Sequence, residues 1–153
     1  MEAIETRIII NGSIKDVWAV LTNFSNYHEW SPVINIEGSP MLGANLVVSI
    51  KIKKNKPMKF KPSIITFEPE SELKWIGQIF NSRYFFVGEH YFKLRSIDAT
   101  RVELIHGETF TGLLLPLLWP MIAKDTEIAF ENFNKSLQTR FLPNQEEAQS
   151  IHY

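Results

Sequence analysis

The alternation of apolar and polar positions divides the chain into recognisable pieces. Residues 3–10, AIETRIII, read as a strand that turns fully apolar at its end. Asn11-Gly12 is a turn signal. Ser13 stands where a helix N-cap belongs, with Asp16 three positions on, the acidic partner of a capping box. Ile14, Val17, Trp18 and Leu21 recur at helical spacing, which predicts a short helix over 14–22. Asn23–Pro32 holds a second short helix that Pro32 stops. Strand patterns then follow at 33–37, 44–53, 58–67, 72–79, 84–95 and 101–110, with Pro57, Pro69 and the Asp98 region marking turns. In the second of these, Leu46, Val48, Ile50 and Ile52 alternate against Val47, Ser49, Lys51 and Lys53. The chain ends in a long helix whose apolar stripe is Ile122, Thr126, Phe130, Phe133, Leu137 and Phe141.

Strands joined by short turns make an antiparallel sheet, and a single long amphipathic helix must bury its stripe on one face of it. A sheet of six or seven strands curls as it twists. The class is therefore α+β: a curved antiparallel sheet wrapped around a long C-terminal helix, with two short helices after the first strand. Residues 1–142 form one domain and 143–153 a polar tail. The stretch FTGLLLPLLWPMI, Phe110–Ile122, contains one polar side chain, Thr111. It is too short for a membrane span, which takes ~20 apolar residues. It reads as the end of the last strand, a sharp exit at Gly112 and the start of the long helix, with Pro116 and Pro120 in its early turns.

Composition narrows the function. The 153 residues carry a net charge of −1, eleven Phe, four Trp and no Cys. The absence of Cys excludes disulfides, a thiolate nucleophile and cysteine-ligated metals. The first twenty residues contain Glu2, Glu5 and Asp16 and no basic leader, so a cytoplasmic protein is expected. The lysine run of residues 51–62 falls on the outer face by alternation, where it discourages edge pairing; no nucleic-acid partner is expected. There is no GxGxxG, Walker A or GxSxG motif.

The last two strands carry the candidate chemistry. If Val102, Leu104 and Phe110 face inward, period two places His106 and Glu108 inward as well. By the same rule Phe86 and His90 join Phe92 and Leu94. A hairpin centred on Asp98 pairs Leu94 with Val102, Phe92 with Leu104 and His90 with His106, with Glu108 diagonal to His90. Three readings of His90, His106 and Glu108 stand: a satisfied core network, an anchor for the polar end of an apolar ligand, or catalysis or metal binding, since two histidines and a carboxylate are the set used by open iron or zinc sites.

Four segments together resemble the START-like, or SRPBCC, superfamily of polyketide cyclase/dehydrase-like and lipid-transfer-like proteins: INGSIKDVWAVLTNFSNYHEWSP, FEPESELKWIG, GEHYFKLRSID and FTGLLLPLL. The resemblance covers roughly residues 3–141. It implies the helix-grip fold, with a cavity between sheet and C-terminal helix, and it supplies no metal or cofactor. The positions expected to line that cavity, beside His90, His106 and Glu108, are Trp30, Trp75, Tyr84, Phe86 and Phe92. Phe110, Leu117, Met121, Phe130 and Phe133 complete them. Trp18 and Leu73 are further apolar positions with ordinary core as their plainer reading. The resemblance places Trp30-Ser31-Pro32 at the rim, where Tyr27, His28 and Trp30 act as a gate or as a surface staple; Arg83 is either a ligand partner or a solvated turn residue. The expected function is binding of a small hydrophobic or amphipathic molecule without stable membrane insertion. The alternative is a cyclase- or dehydratase-like enzyme using His90, His106 or Glu108 as general acid or base. The protein is expected as a monomer or weak homodimer, with an adaptor domain as a third class.

Overall fold

The computed structural model describes residues 1–52 and 56–143. Among the described residues, eight strands, two α-helices and a 3-10 helix follow one another in the predicted order. β1 (Glu2–Asn11) leads through Gly12 to α1 (Ile14–Thr22), where the Ser13 side chain accepts from the Asp16 N–H at 3.1 Å. A 3-10 helix, Phe24–Glu29, follows. β2 (Ile34–Glu37), β3 (Val47–Ile50) and β4 (Met58–Phe60) form a three-stranded sheet. β5 (Ser63–Glu68), β6 (Glu72–Gln78), β7 (Val87–Asp98) and β8 (Arg101–Thr111) join β1 in a five-stranded sheet of order β1-β8-β7-β6-β5. The long helix α2 spans Leu115–Arg140. All strand pairs are antiparallel. Among the described residues no helix is long and apolar enough to cross a membrane.

Four details differ from the sequence pattern. The expected strand at 58–67 is divided at Lys61-Pro62, because Pro62 has no N–H for a ladder; β4 and β5 therefore lie in different sheets. A short seam joins the two sheets: an Asn45–Ser63 bridge, with Leu46 N–H donating to the Pro62 carbonyl at 2.8 Å and Ile64 N–H to the Ala44 carbonyl at 3.0 Å. The strand expected to start at Tyr84 begins at Val87, after a turn in which Phe80 and Asn81 take positive φ. The β7–β8 register is displaced by two residues from the expected one. Asp98 is the shoulder of the turn, not its centre: its carboxylate accepts from the Thr100 N–H at 2.9 Å and pairs with Arg101 at 2.8 Å. With an irregularity between Ser96 and Asp98, Leu94 faces Leu104, Phe92 faces His106 and His90 faces Glu108. The displacement is even, so the inward set is unchanged. The strand expected over 44–53 is shorter, running only from Val47 to Ile50; Lys53 and the polar tail beyond Pro143 lie outside the described residues.

Gly112 makes the exit from β8. Its φ is +123°, and a Cβ there would stand 2.4 Å from the Phe85 carbonyl, so no other residue fits without backbone movement. Leu113 and Leu114 N–H groups then donate to the Tyr84 and Phe85 carbonyls, each at 2.9 Å. Pro116 sits in the first helical turn, where the missing N–H costs little, and Pro120 lies inside the helix. One end of the sheet–helix space is filled by Tyr27, Phe92, Phe133 and Leu137, with Val17 and Leu21 of α1 in the same cluster.

Candidate functional site

Toward the N-terminal half of α2 the space is open. A cavity of about 510 Å³ lies between α2 and the concave faces of both sheets. β3 and β4 contribute Val48, Ile50, Met58 and Phe60; β6 to β8 contribute Trp75, Gly88, His90, Glu108 and Phe110; α2 contributes Leu118, Ile122, Ala129 and Phe130. Of the residues the sequence singled out, Trp75, Phe86, His90, Glu108, Phe110, Met121 and Phe130 border this space. Trp30, Phe92, His106 and Phe133 do not. Phe92, His106 and Phe133 are fully buried behind the wall, because the stripe of α2 continues past the hollow into the filled end. Trp18 and Leu73 belong to the same packed region. Trp30 and buried Tyr27 pack as a tilted ring pair with centroids 4.7 Å apart, and Trp30 lies 5.3 Å from Phe133; both are core staples there. His28 is exposed and holds the Ser25 carbonyl at 2.8 Å. Tyr84 and Leu117 are exposed at 78% and 70% and are not in the lining: Tyr84 precedes β7 in the turn, and helical spacing turns Leu117 outward while Leu118 faces in. Arg83 is also exposed.

The polar cluster is longer than the sequence suggested. Thr6 lies opposite His106 in the β1–β8 ladder. Its hydroxyl has one hydrogen and donates it to the His106 carbonyl at 2.9 Å. Toward Asn134 of α2 it can only accept, which it does from Nδ2 at 2.8 Å. The Asn134 oxygen therefore faces His106 and accepts from Nδ1–H at 2.8 Å. A neutral His106 then has a bare Nε2, 2.9 Å from His90 Nε2, so His90 Nε2–H is the donor. A neutral His90 in turn has a bare Nδ1, which faces Glu108 Oε2 at 3.3 Å. Each link fixes the next, starting from one backbone carbonyl. Aromatic rings hold the imidazoles flat: Trp75 stacks on His90 at 4.6 Å, and Phe130 on His106 at 4.2 Å.

Burial decides the protonation. Desolvation pushes His90 down to about 3 and His106 well below the ordinary histidine value, the neighbouring His90 adding to the second shift against the opposing pull of Asn134 and the Phe130 carbonyl. Desolvation pushes Glu108 up to about 8. Both directions favour neutral imidazoles beside a protonated carboxyl over an ion pair. Gly88, opposite Phe110 in the ladder, makes room for that carboxyl; a Cβ there would lie 2.2 Å from Glu108 Oε1. Among the described residues no group of three His, Cys, Asp or Glu is arranged to hold a metal ion.

A pH profile of stability follows. Glu108 keeps its proton up to about 8 when folded but loses it near 4.5 when unfolded. Its contribution is complete below 4.5 and is lost as pH rises toward 8. The histidines act oppositely: the unfolded imidazoles take up protons below 6.5 and the folded ones refuse them. Stability should peak near pH 6.5, falling on the alkaline side by about 1.4 kcal/mol per unit. On the acid side the two histidines outweigh Glu108. Denaturant unfolding from pH 4 to 8.5 measures this, and Glu108→Gln should flatten the alkaline flank. A stability that climbs steadily to pH 8 would contradict the assignment.

Thr6 and Asn134 were missed in the sequence, although each left a sign. Thr6 interrupts the inward set Ile4, Ile8, Ile10, and Asn134 sits between Phe130, Phe133 and Leu137 on the buried stripe. A polar side chain on an apolar face demands a partner.

The sequence profile described as polyketide cyclase/dehydrase and lipid transport matches residues 1–141. The fold is similar to that of a START superfamily protein from Mycobacterium smegmatis, with TM-score 0.71, 16% identity, and coverage of 91% of this chain and 96% of that one. It is also similar to the Zhui aromatase/cyclase from a Streptomyces species, with TM-score 0.73, 12% identity and coverage of 91% and 92%. A hypothetical protein from Helicobacter pylori gives TM-score 0.74, 13% identity and coverage of 92% and 88%. These solved structures are alike in fold. No curated protein matched the sequence significantly.

Proposed function

The chain belongs to the polyketide cyclase/dehydrase and lipid transport family, and from that premise we propose that it binds a small hydrophobic or amphipathic molecule between the sheets and α2. The observation that carries this reading is the cavity: about 510 Å³ of space walled mainly by aliphatic and aromatic side chains, with few polar groups among them. That size and that lining suit a compact organic guest. Titration with N-phenyl-1-naphthylamine, a neutral apolar dye, tests it. A saturable fluorescence rise is expected, and Ala129→Phe, which extends a ring from α2 into the space, should weaken binding at least about tenfold, since a filled cavity has no room to repack. A dye that fails to bind, or that binds the filled variant equally well, contradicts the reading.

One observation favours a second reading. An aromatase/cyclase shares the fold, and Glu108, pushed up to about 8 at the cavity wall, has a proton affinity suited to general acid work at neutral pH. In that reading Glu108 touches substrate, His90 positions it, and His106 acts through His90. Loss of turnover in Glu108→Gln with dye affinity intact would favour the enzyme over the carrier.

A further inference from the structure

The hydrogen-bond chain has a direction, and its open end lies in the cavity. Every link donates inward, away from the hollow: Glu108 Oε2–H to His90, His90 to His106, His106 to Asn134, Asn134 to Thr6 and Thr6 to the His106 carbonyl. The single carboxyl proton of Glu108 is thereby committed to His90. What remains for a guest is Oε1, which lies over Gly88, itself part of the cavity wall. That oxygen offers lone pairs and no hydrogen.

Resting on the ligand-binding reading above, we propose that the guest is an apolar molecule bearing a neutral hydroxyl, an alcohol or phenol, which donates to Glu108 Oε1. A guest carboxylate would bring acceptor against acceptor. A guest ammonium would require Glu108 to ionise, leaving the bare His90 nitrogen facing an anion 3.3 Å away; the folded chain disfavours that state because desolvation raises Glu108 and lowers His90. Among the described residues, the other charged groups in the cavity lining are Asp125 on α2 and Lys56 ahead of β4. An amphipathic carboxylate held by a cation of the lining such as Lys56, in place of Glu108, predicts the opposite ligand preference.

Displacement of N-phenyl-1-naphthylamine by naphthalene, 2-naphthol and 2-naphthoate at pH 6.5 separates them. We expect 2-naphthol to bind about three- to tenfold more tightly than naphthalene, the worth of one net hydrogen bond, and more tightly than 2-naphthoate. Glu108→Gln should keep this order, because the amide donates to His90 from Nε2 and still presents an oxygen to the cavity. Glu108→Met should make 2-naphthol and naphthalene equal. A preference for 2-naphthoate, a hydroxyl preference lost in the Gln variant, or one kept in the Met variant overturns the inference while leaving ligand binding standing. Failure of the dye itself to bind removes both.

Discussion

Phe133→Ala should destabilise the protein by about 3–5 kcal/mol, the cost of emptying a large ring from a close-packed core. For a chain of this length each kcal/mol lowers Tm by about 2–4 °C. Phe133 is fully buried and packs against four rings: Tyr27 at 6.0 Å, Trp30 at 5.3 Å, Phe92 at 5.4 Å and His106 at 5.1 Å between centroids. Those neighbours are themselves held by the sheet and by α1, so the hole cannot collapse. Phe130, one turn earlier on the same stripe, borders the existing cavity. Its removal enlarges a space that is already open, and Phe130→Ala should cost at least about 1 kcal/mol less. Equal losses in thermal and denaturant unfolding would mean that the interior is packed uniformly from end to end, against the division into a filled and a hollow half.

Asn134→Ala should cost about 2–6 kcal/mol, although the truncated side chain is small. The deletion strands two buried partners at once, the His106 Nδ1–H and the lone pair of the Thr6 hydroxyl, and each stranded group costs about 1–3 kcal/mol. Stability alone does not distinguish this from a packing defect, so the second readout is the imidazole tautomer. Long-range proton–nitrogen NMR spectra of the parent protein should show His106 protonated on Nδ1 and His90 on Nε2. In Asn134→Ala, His106 is released from that constraint and the His90 assignment should change with it. A parent spectrum with His106 protonated on Nε2 would reverse every link and sink the account of the cluster.

How much of this was legible in the sequence depends on what each feature rests on. The helix over 14–22 and the long terminal helix followed from caps and a 3.6-residue stripe, both local signals. The inward placement of His90, His106 and Glu108 followed from period two, which survives any even slip; that is why a register wrong by two residues still turned the same side chains inward. The partner of each side chain did not follow, because Asp98 binds Thr100 and Arg101 and so moves the turn. The division into two sheets was written in Pro62, but reading it needed to know where the neighbouring ladder runs. The outward turn of Tyr84 and Leu117 depends on the exact start of β7 and α2, and element ends are the least determined by pattern. Thr6 and Asn134 are distant in sequence from the histidines, and only the closed sheet and the docked helix bring them together.

The seam at Asn45–Ser63 has a consequence for how such a protein diversifies. The wall made by Val48, Ile50, Met58 and Phe60 hangs on the smaller sheet, whereas Glu108 and its supporting chain stand on the larger one and on α2. If the chain binds a guest as proposed, capacity and chemical taste are thus written in separate stretches of polypeptide. Lengthening or swapping residues between Ile34 and Phe60 would retune the bulk of what is accommodated, while the acceptor that greets it stays as it was.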